Sequence, residues 1–240
     1  MPSLHYPANG CVAVHHDNAI HGEDAFVTRE LSPIATLDAV LDGATCHGGK
    51  DASSFVAHTL QDAHVESPND LVTILERANA TLYQRGKGGV LLTTLSVALK
   101  IGDALHVLSV GDSLGYLIRS TEIVALTALT KGPIPLGITR ALGRHAKLSY
   151  LARHVTLQPH DRLVLATDGI TDNVAPAELA SVMQHTASPE AAVSALRELL
   201  SEKRRSNRGR ADDPGGFTVD DATAIVRYFG RGEERGQAIA

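Results

Sequence analysis

The chain has 240 residues, of which 43% are hydrophobic and 20% charged, and its formal net charge is -5. This composition is typical of a globular protein with one substantial core, and it argues against the disordered and fibrous classes. A mildly acidic chain without a broad basic region is also a poor partner for nucleic acid, because phosphate backbones favour concentrated positive charge.

The first 42 residues contain three strand-like runs, which are "CVAVHH" from Cys11, "DAFVTRE" from Asp24 and "IATLDAVLD" from Ile34. Apolar residues then recur every three or four positions over 52–65 and again over 69–85, which predicts two helices. The pair Asn69-Asp70 after Pro68 is typical of a helix start.

The middle of the chain is rich in predicted strands, with the runs "LLTTLSVALK", "ALHVLSV", "GYLIR" and "EIVAL". Short turns such as Ile101-Gly102-Asp103 separate them, so we expect antiparallel neighbours. Further strands end at Thr167, and helices follow over 176–185 and 189–203 before a last strand, "ATAIVRYF". This order predicts an α+β fold in which two antiparallel sheets pack together, with helices on the outer faces.

Cysteine usage and hydropathy indicate the compartment. The chain has two cysteines, Cys11 and Cys46, and no N-terminal apolar run, so we expect a cytoplasmic protein with free thiols. No stretch approaches the roughly 18 apolar residues that a membrane span requires, and no membrane partner is expected. We predict one domain over residues 1–240, with a core of about 11–229 and a flexible tail over 230–240, and a monomer.

Acidic residues recur where predicted strands end, usually beside glycine or another acid. They are Glu23-Asp24, Asp42-Gly43, Asp112, Asp168-Gly169 and Asp220-Asp221. Each one alone is ordinary turn chemistry. Several ionised carboxylates in one place, however, raise one another's pKa unless a polyvalent cation neutralises them. Oxygen ligands favour Mg²⁺ or Mn²⁺, and two such ions suit displacement at phosphorus. The twelve histidines lack the spacing of a zinc site.

Six segments, in order, resemble the PP2C-type (PPM) family of metal-dependent protein serine/threonine phosphatases, particularly its compact bacterial members. The segments are "HGEDAF", "VLDGATCHGGKDASSFVA", "TTLSVALKIGDALHVLSVGDSLGYLIR", "ITRALG", "LATDGITDN" and "VDDATAIV", and they cover about Cys11 to Phe229. The resemblance implies a four-layer αββα sandwich with a metal centre at one end. This architecture agrees with the order of the predicted elements.

The resemblance also assigns a site that holds two Mg²⁺ or Mn²⁺ ions, with a third ion in bacterial members. The implied metal ligands are Glu23, Asp42, the carbonyl of Gly43, Asp112, Asp168 and Asp220, with Asp42 bridging two ions and Asp112 joining Asp168 at the third. The implied outer shell, which orients the ligands, comprises Asp24, Asp221 and Thr223. A water between two ions would be the nucleophile, so Asp42 and Asp168 are catalytic, and His47 would protonate the leaving alkoxide.

The sequence departs from the family pattern at several positions. The family places a phosphate-binding arginine four residues before the metal-binding glutamate, where this chain has Ala19, so no phosphate-binding residue is assigned. Arg140 and Arg144 are candidate replacements. Thr45 and Cys46 occupy positions where the family has glycines, and the flap segment before "ITRALG" is short.

Two other functions compete with this interpretation. The loss at Ala19 is compatible with a catalytically inactive relative that binds a phosphoprotein or a kinase. "GDSLG" also spells the signature of serine esterases with Ser113 as nucleophile, although Asp103 and His106 precede Ser113 on the same predicted hairpin. The favoured prediction is a signalling enzyme that removes phosphate from phosphoserine and phosphothreonine. Its expected partners are a phosphorylated protein and a serine/threonine kinase or that kinase's targets.

Overall fold

The computed structural model describes residues 8–120, 122–127, 140–206 and 216–230. In chain order, the elements are β1 (Cys11–Asp17), β2 (Asp24–Ser32), β3 (Ala35–Asp42), α1 (Gly49–Asp62), α2 (Pro68–Gly86), β4 (Leu95–Ile101), β5 (Ala104–Val110), β6 (Leu114–Ile118), β7 (Ile123–Ala125), β8 (Leu151–Thr156), β9 (Arg162–Ala166), α3 (Asp168–Thr171), α4 (Pro176–Gln184), α5 (Pro189–Ser206) and β10 (Ala222–Tyr228). In these ranges, no helix combines the length and apolar character that crossing a bilayer requires.

The strands form two five-stranded antiparallel sheets. The first sheet has the order β1-β10-β9-β6-β7, and the second has the order β2-β3-β4-β5-β8. Side chains alternate between the faces of each strand, so each sheet has an inner and an outer apolar face. The predicted α+β sandwich is therefore confirmed.

Three apolar clusters define the layers. Between the sheets, Val40 and Val107 of the second sheet pack with Leu163, Leu165 and Ile225 of the first. On the outer face of the second sheet, α1 and α2 bury a separate cluster that includes both helices' apolar stripes. On the outer face of the first sheet, α4 and α5 do the same.

One predicted pairing is wrong. The β4–β5 hairpin forms as expected, and Gly102 in its turn has a φ of 59°. The next strand, β6, does not pair with β5, because it lies in the other sheet, between β9 and β7. The segment Gly111-Asp112-Ser113 thus crosses from the second sheet to the first. A short glycine-containing link suits a hairpin and a sheet crossing equally well, which explains the error.

Local signals fix the helix boundaries. Ser67 caps α2, its side chain accepting the backbone N–H of Asp70, and the carboxylate of Asp70 accepts the N–H of Ser67. The short helix α3, which begins at Asp168, was not predicted, because four residues are too few to show a helical period. Residues 231–240 of the predicted tail over 230–240, and residues 128–137 of the flap segment before "ITRALG", lie outside the described residues.

Candidate metal centre

The strand register brings the predicted acids to one end of the sandwich. In the second sheet, Asp24 at the start of β2 lies opposite Asp42 at the end of β3. In the first sheet, Ala166 at the end of β9 pairs with both Ala224 and Leu114. The segments carrying Asp168, Asp220 and Asp112 therefore meet beside that pairing. The recurrence of acids at strand ends is thus a spatial arrangement as well as a sequence pattern.

Asp42 lies at the electrostatic centre of this group. Burial raises the pKa of Asp42 well above its ordinary value, and Asp168, Asp24, Asp112 and Asp220 raise it further, in that order. These four carboxylates come from four other segments of the chain. Mutual repulsion of this kind is what a divalent cation would relieve.

Asp24 is tied to the opposite sheet. It is 6% exposed, and its Oδ2 accepts hydrogen bonds from the hydroxyls of Thr223, at 2.7 Å, and Thr167, at 2.9 Å. Burial raises the pKa of Asp24 to about 7, although the two threonine hydrogen bonds lower it. Through these contacts, Asp24 holds the two sheets together at the site. Thr167 had no assigned role in the sequence prediction.

Asp221 anchors the loop that precedes β2. Its carboxylate accepts the backbone N–H groups of Ile20, His21 and Glu23 at 2.9, 3.0 and 2.9 Å. Burial acts to raise the pKa of Asp221, but these backbone donors together bring it below its ordinary value. The loop carrying Glu23 is therefore fixed by a residue from the other end of the chain.

Glu23 is held by residues that the sequence prediction missed. Its backbone carbonyl accepts the N–H of Gly43, at 3.1 Å, and the hydroxyl of Ser53, at 2.6 Å. The hydroxyl of Thr45 donates to its Oε2 at 2.7 Å. Thr45 stands where the resemblance would place glycine, so the departure from the pattern supplies a hydrogen bond to a predicted metal ligand.

The backbone of Asp42 is fixed by two adjacent threonines immediately before β4. The hydroxyl of Thr94 accepts the N–H of Asp42 at 3.1 Å, and the hydroxyl of Thr93 donates to its carbonyl at 3.0 Å. The pair was visible in the sequence as "TTLS", but nothing local connects it to a residue more than fifty positions earlier.

Two glycines that follow acids are required by close backbone approach. A Cβ on Gly43 would lie 2.3 Å from the carbonyl carbon of Gly49, and a Cβ on Gly169 would lie 1.9 Å from the carbonyl oxygen of Asp221. Any side chain at either position would push these segments apart. The Asp-Gly pairs therefore let the acid-bearing segments converge.

His47 and Arg144 make contacts that limit their roles. The Nδ1 of His47 lies 2.8 Å from the carbonyl oxygen of Thr45. Because a carbonyl only accepts, Nδ1 carries the proton and Nε2 remains for acid–base chemistry. Arg144 donates to the carbonyl of Gly88 at 3.0 Å, beyond the end of α2. The carbonyl of Arg140, in contrast, lies beside Gly111, next to Asp112.

Ser113 does not have the surroundings of a nucleophile. It is 2% exposed, and its hydroxyl is 2.7 Å from that of Thr94. His106 packs instead against His154 on β8, with ring centroids 4.7 Å apart. The esterase interpretation is therefore wrong.

The predicted ligands at this end of the sandwich all offer oxygen atoms, which fit a hard divalent cation. Among the described residues, no three His, Cys, Asp or Glu side chains lie close enough to form a ready-made metal cage. The assignment of individual ligands to individual ions stays a prediction.

Known proteins that resemble this chain indicate its family. A family model described as "Stage II sporulation protein E (SpoIIE)" matches residues 51–216. "Probable protein phosphatase 2C 80" of Arabidopsis thaliana is 25% identical over 253 residues, which cover 95% of this chain. The chain spans 59% of the length of that relative.

Solved structures show the same fold. PppA, described as a key regulatory component of T6SS in Pseudomonas aeruginosa, superimposes with a TM-score of 0.75 at 26% identity, covering 91% of this chain and 97% of PppA. The catalytic domain of the serine threonine protein phosphatase PstP, in complex with two manganese ions, has a TM-score of 0.73 at 22% identity, covering 92% and 98%. The match over residues 51–216, which is more than half of the chain, shows that the chain belongs to the SpoIIE family, and the Arabidopsis relative and the PstP structure that resemble it are both described as protein phosphatases.

Proposed function

We propose that this protein hydrolyses phosphoserine and phosphothreonine in proteins, using Mg²⁺ or Mn²⁺ at two positions and a third at Asp112. The observation that carries the proposal is the half-buried Asp42 side chain, because the pKa of its carboxyl is raised first by desolvation and then by Asp168, Asp24, Asp112 and Asp220 from separate segments. Family membership and the manganese ions of PstP support the same chemistry.

Each side chain has a definite task in this proposal. Asp42, Glu23, the Gly43 carbonyl, Asp168 and Asp220 would hold the ions. When bound, the ions would supply a water acidic enough to attack phosphorus near neutral pH and would offset charge on the phosphoryl oxygens. The remaining tasks fall to residues that hold these ligands in place.

The supporting residues hold the predicted ligands in position, and one of them would supply the proton for the leaving group. Asp221 fixes the loop of Glu23, and Thr45 fixes its carboxylate. Since Nδ1 of His47 donates to the Thr45 carbonyl, the proton for the leaving alkoxide would come from Nε2, and His47 would have to be doubly protonated to give it.

The wider setting is part of the same proposal. We take the substrate to be a phosphoprotein in a bacterial signalling system, in which a serine/threonine kinase supplies the phosphate. Cys11 and Cys46 are free thiols, which supports a reducing compartment such as the cytoplasm. We also propose that the chain works as one domain and as a monomer.

A Mn²⁺-dependent assay tests the activity. Wild-type protein should hydrolyse p-nitrophenyl phosphate and a phosphothreonine peptide only when Mn²⁺ or Mg²⁺ is present, and Asp42→Asn and Asp168→Asn should reduce turnover to background. Asp62→Asn, at the exposed end of α1, removes one carboxylate away from the site and should retain full activity. Turnover that persists in EDTA, or in Asp42→Asn, contradicts the proposal.

A catalytically inactive binding module is the second candidate, because Ala19 occupies the position of the family's phosphate-binding arginine. It predicts that the wild-type chain binds Mn²⁺ and a phosphopeptide by calorimetry but does not turn the peptide over. Release of inorganic phosphate from that peptide, lost in Asp168→Asn, excludes it.

A further inference from the structure

A cavity of about 80 Å³ lies on the outer side of the first sheet, next to the candidate metal centre. His15 of β1 pairs in register with Ala224 of β10, and Ala224 belongs to the outer cluster beneath α4 and α5. The cavity is bounded by α5 on one side, and it shares Gly169 and Asp220 with the centre. A volume of this size holds several waters or one small polyatomic ion.

One face of α5 supplies polar groups to this cavity. Arg197, Ser201 and Arg204 line it, and spacings of four and three residues place them on the same helix face. Within the described ranges, the side chains of these three residues take part in no hydrogen bond or ion pair. Two guanidinium groups and a hydroxyl thus face the cavity with donors available.

His15 supplies an independent sign of a missing ligand. The residue is 6% exposed, and its Nδ1 is buried without a hydrogen-bond partner among the described residues. A buried polar nitrogen left unpaired is costly, and native proteins rarely leave one so. The pKa of His15 is lowered by burial and then by Arg197, which shows that the two side chains are neighbours.

The charges around the cavity define what it would accept. Guanidinium groups bind phosphate through paired, charge-assisted hydrogen bonds, and a neutral His15 can donate one more. Two carboxylates, Asp17 and Asp220, also line the cavity and oppose an anion. Asp220 is a predicted metal ligand, so a cation there would remove part of this opposition.

We propose that the cavity formed by His15, Arg197, Ser201 and Arg204 binds a phosphate oxyanion beside the metal centre and separately from it. Two sources share this chemistry, which are free inorganic phosphate and a second phosphoryl group on a phosphorylated polypeptide. Binding at this cavity does not require turnover.

Calorimetric titration of inorganic phosphate in EDTA tests the site without involving metal or activity. Wild-type protein should bind phosphate saturably, and Arg197→Gln and Arg204→Gln should each weaken binding about tenfold or more. Arg205→Gln removes the same charge from the same helix but outside the cavity, and it should leave the affinity unchanged. Asp17→Asn should tighten binding, because it removes a like charge that faces the ligand.

Two results overturn the proposal. One is the absence of saturable binding in both wild-type protein and Asp17→Asn. The other is an equal effect of Arg204→Gln and Arg205→Gln, which would show a diffuse charge effect and not a built site.

Peptides with one or two phosphothreonines distinguish the sources. If the second phosphoryl group occupies the cavity, Arg197→Gln in EDTA should weaken only the doubly phosphorylated peptide. If free phosphate is the ligand, inorganic phosphate should bind while the variant affects both peptides alike. Because no turnover is measured, these results stand whether or not the protein proves to be a phosphatase.

Discussion

Arg227 of β10 donates two hydrogen bonds to Asp38 of β3, at 2.6 and 2.8 Å, and so joins the two sheets across the buried core. Both residues are 1% exposed. A third donation from Arg227 reaches the backbone carbonyl of Asn9 at 2.9 Å. The stability of an ion pair with this burial depends on its geometry, because no water can solvate either charge if the pair separates.

Removing one partner of this pair should destabilise the fold strongly. We expect Asp38→Ala to lower the free energy of unfolding by about 3–5 kcal/mol, because it leaves the buried charge of Arg227 without a partner. Urea unfolding measures the change. The double variant Asp38→Leu, Arg227→Met should recover much of the loss, since it replaces both charges with apolar volume. A double variant no better than Asp38→Ala contradicts this account.

Asp42→Asn should have opposite effects on stability and function. In EDTA, we expect it to raise the free energy of unfolding by about 1–2 kcal/mol, because it removes a carboxylate that four others repel. We also expect Mn²⁺ to raise the melting temperature of the wild-type protein, and Asp42→Asn should abolish that rise. Differential scanning calorimetry measures both quantities. Asp62→Asn should change neither.

Thr45→Val should loosen Glu23, a predicted metal ligand, without removing it. The variant loses the hydrogen bond to Glu23, and the loss of such an orienting partner weakens metal affinity by about 10–100-fold. Mn²⁺ titration calorimetry gives the affinity directly. Thr73→Val deletes a hydroxyl of α2 that bonds only within its own helix, so an equal loss there would refute the role of Thr45.

The pair His106 and His154 should make the fold sensitive to mild acid. The pKa of His106 is lowered by burial and then by His154. A histidine whose folded pKa is depressed contributes stability above its unfolded value of about 6.5, and this stability is lost as the pH falls through the folded pKa. Urea midpoints should therefore drop between pH values of about 7.5 and 5.5. The drop should be smaller in His154→Gln and unchanged in His58→Gln.

The sequence was sufficient for the architecture because the relevant signals are local. Strand-like apolar runs predicted β3 and β10, and an acid followed by glycine marked the end where the site forms. The crossing from the second sheet to the first at Asp112 was missed, because a short link does not indicate which sheet the next strand joins. The bonds from Thr45 and Ser53 to Glu23 could not be predicted, because they connect residues that only the fold brings together. The same holds for His15, which meets Arg197 only when α5 packs on β1.

The anchoring of the Glu23 loop by Asp221 has a consequence for protein synthesis. His21 receives its hydrogen-bond acceptor from a residue made 200 positions later, and β10 inserts between β1 and β9, in the interior of the first sheet. A nascent chain on the ribosome therefore lacks an ordered site until translation of this strand is complete. The candidate metal centre would therefore be completed only after the last strand of the fold has been made.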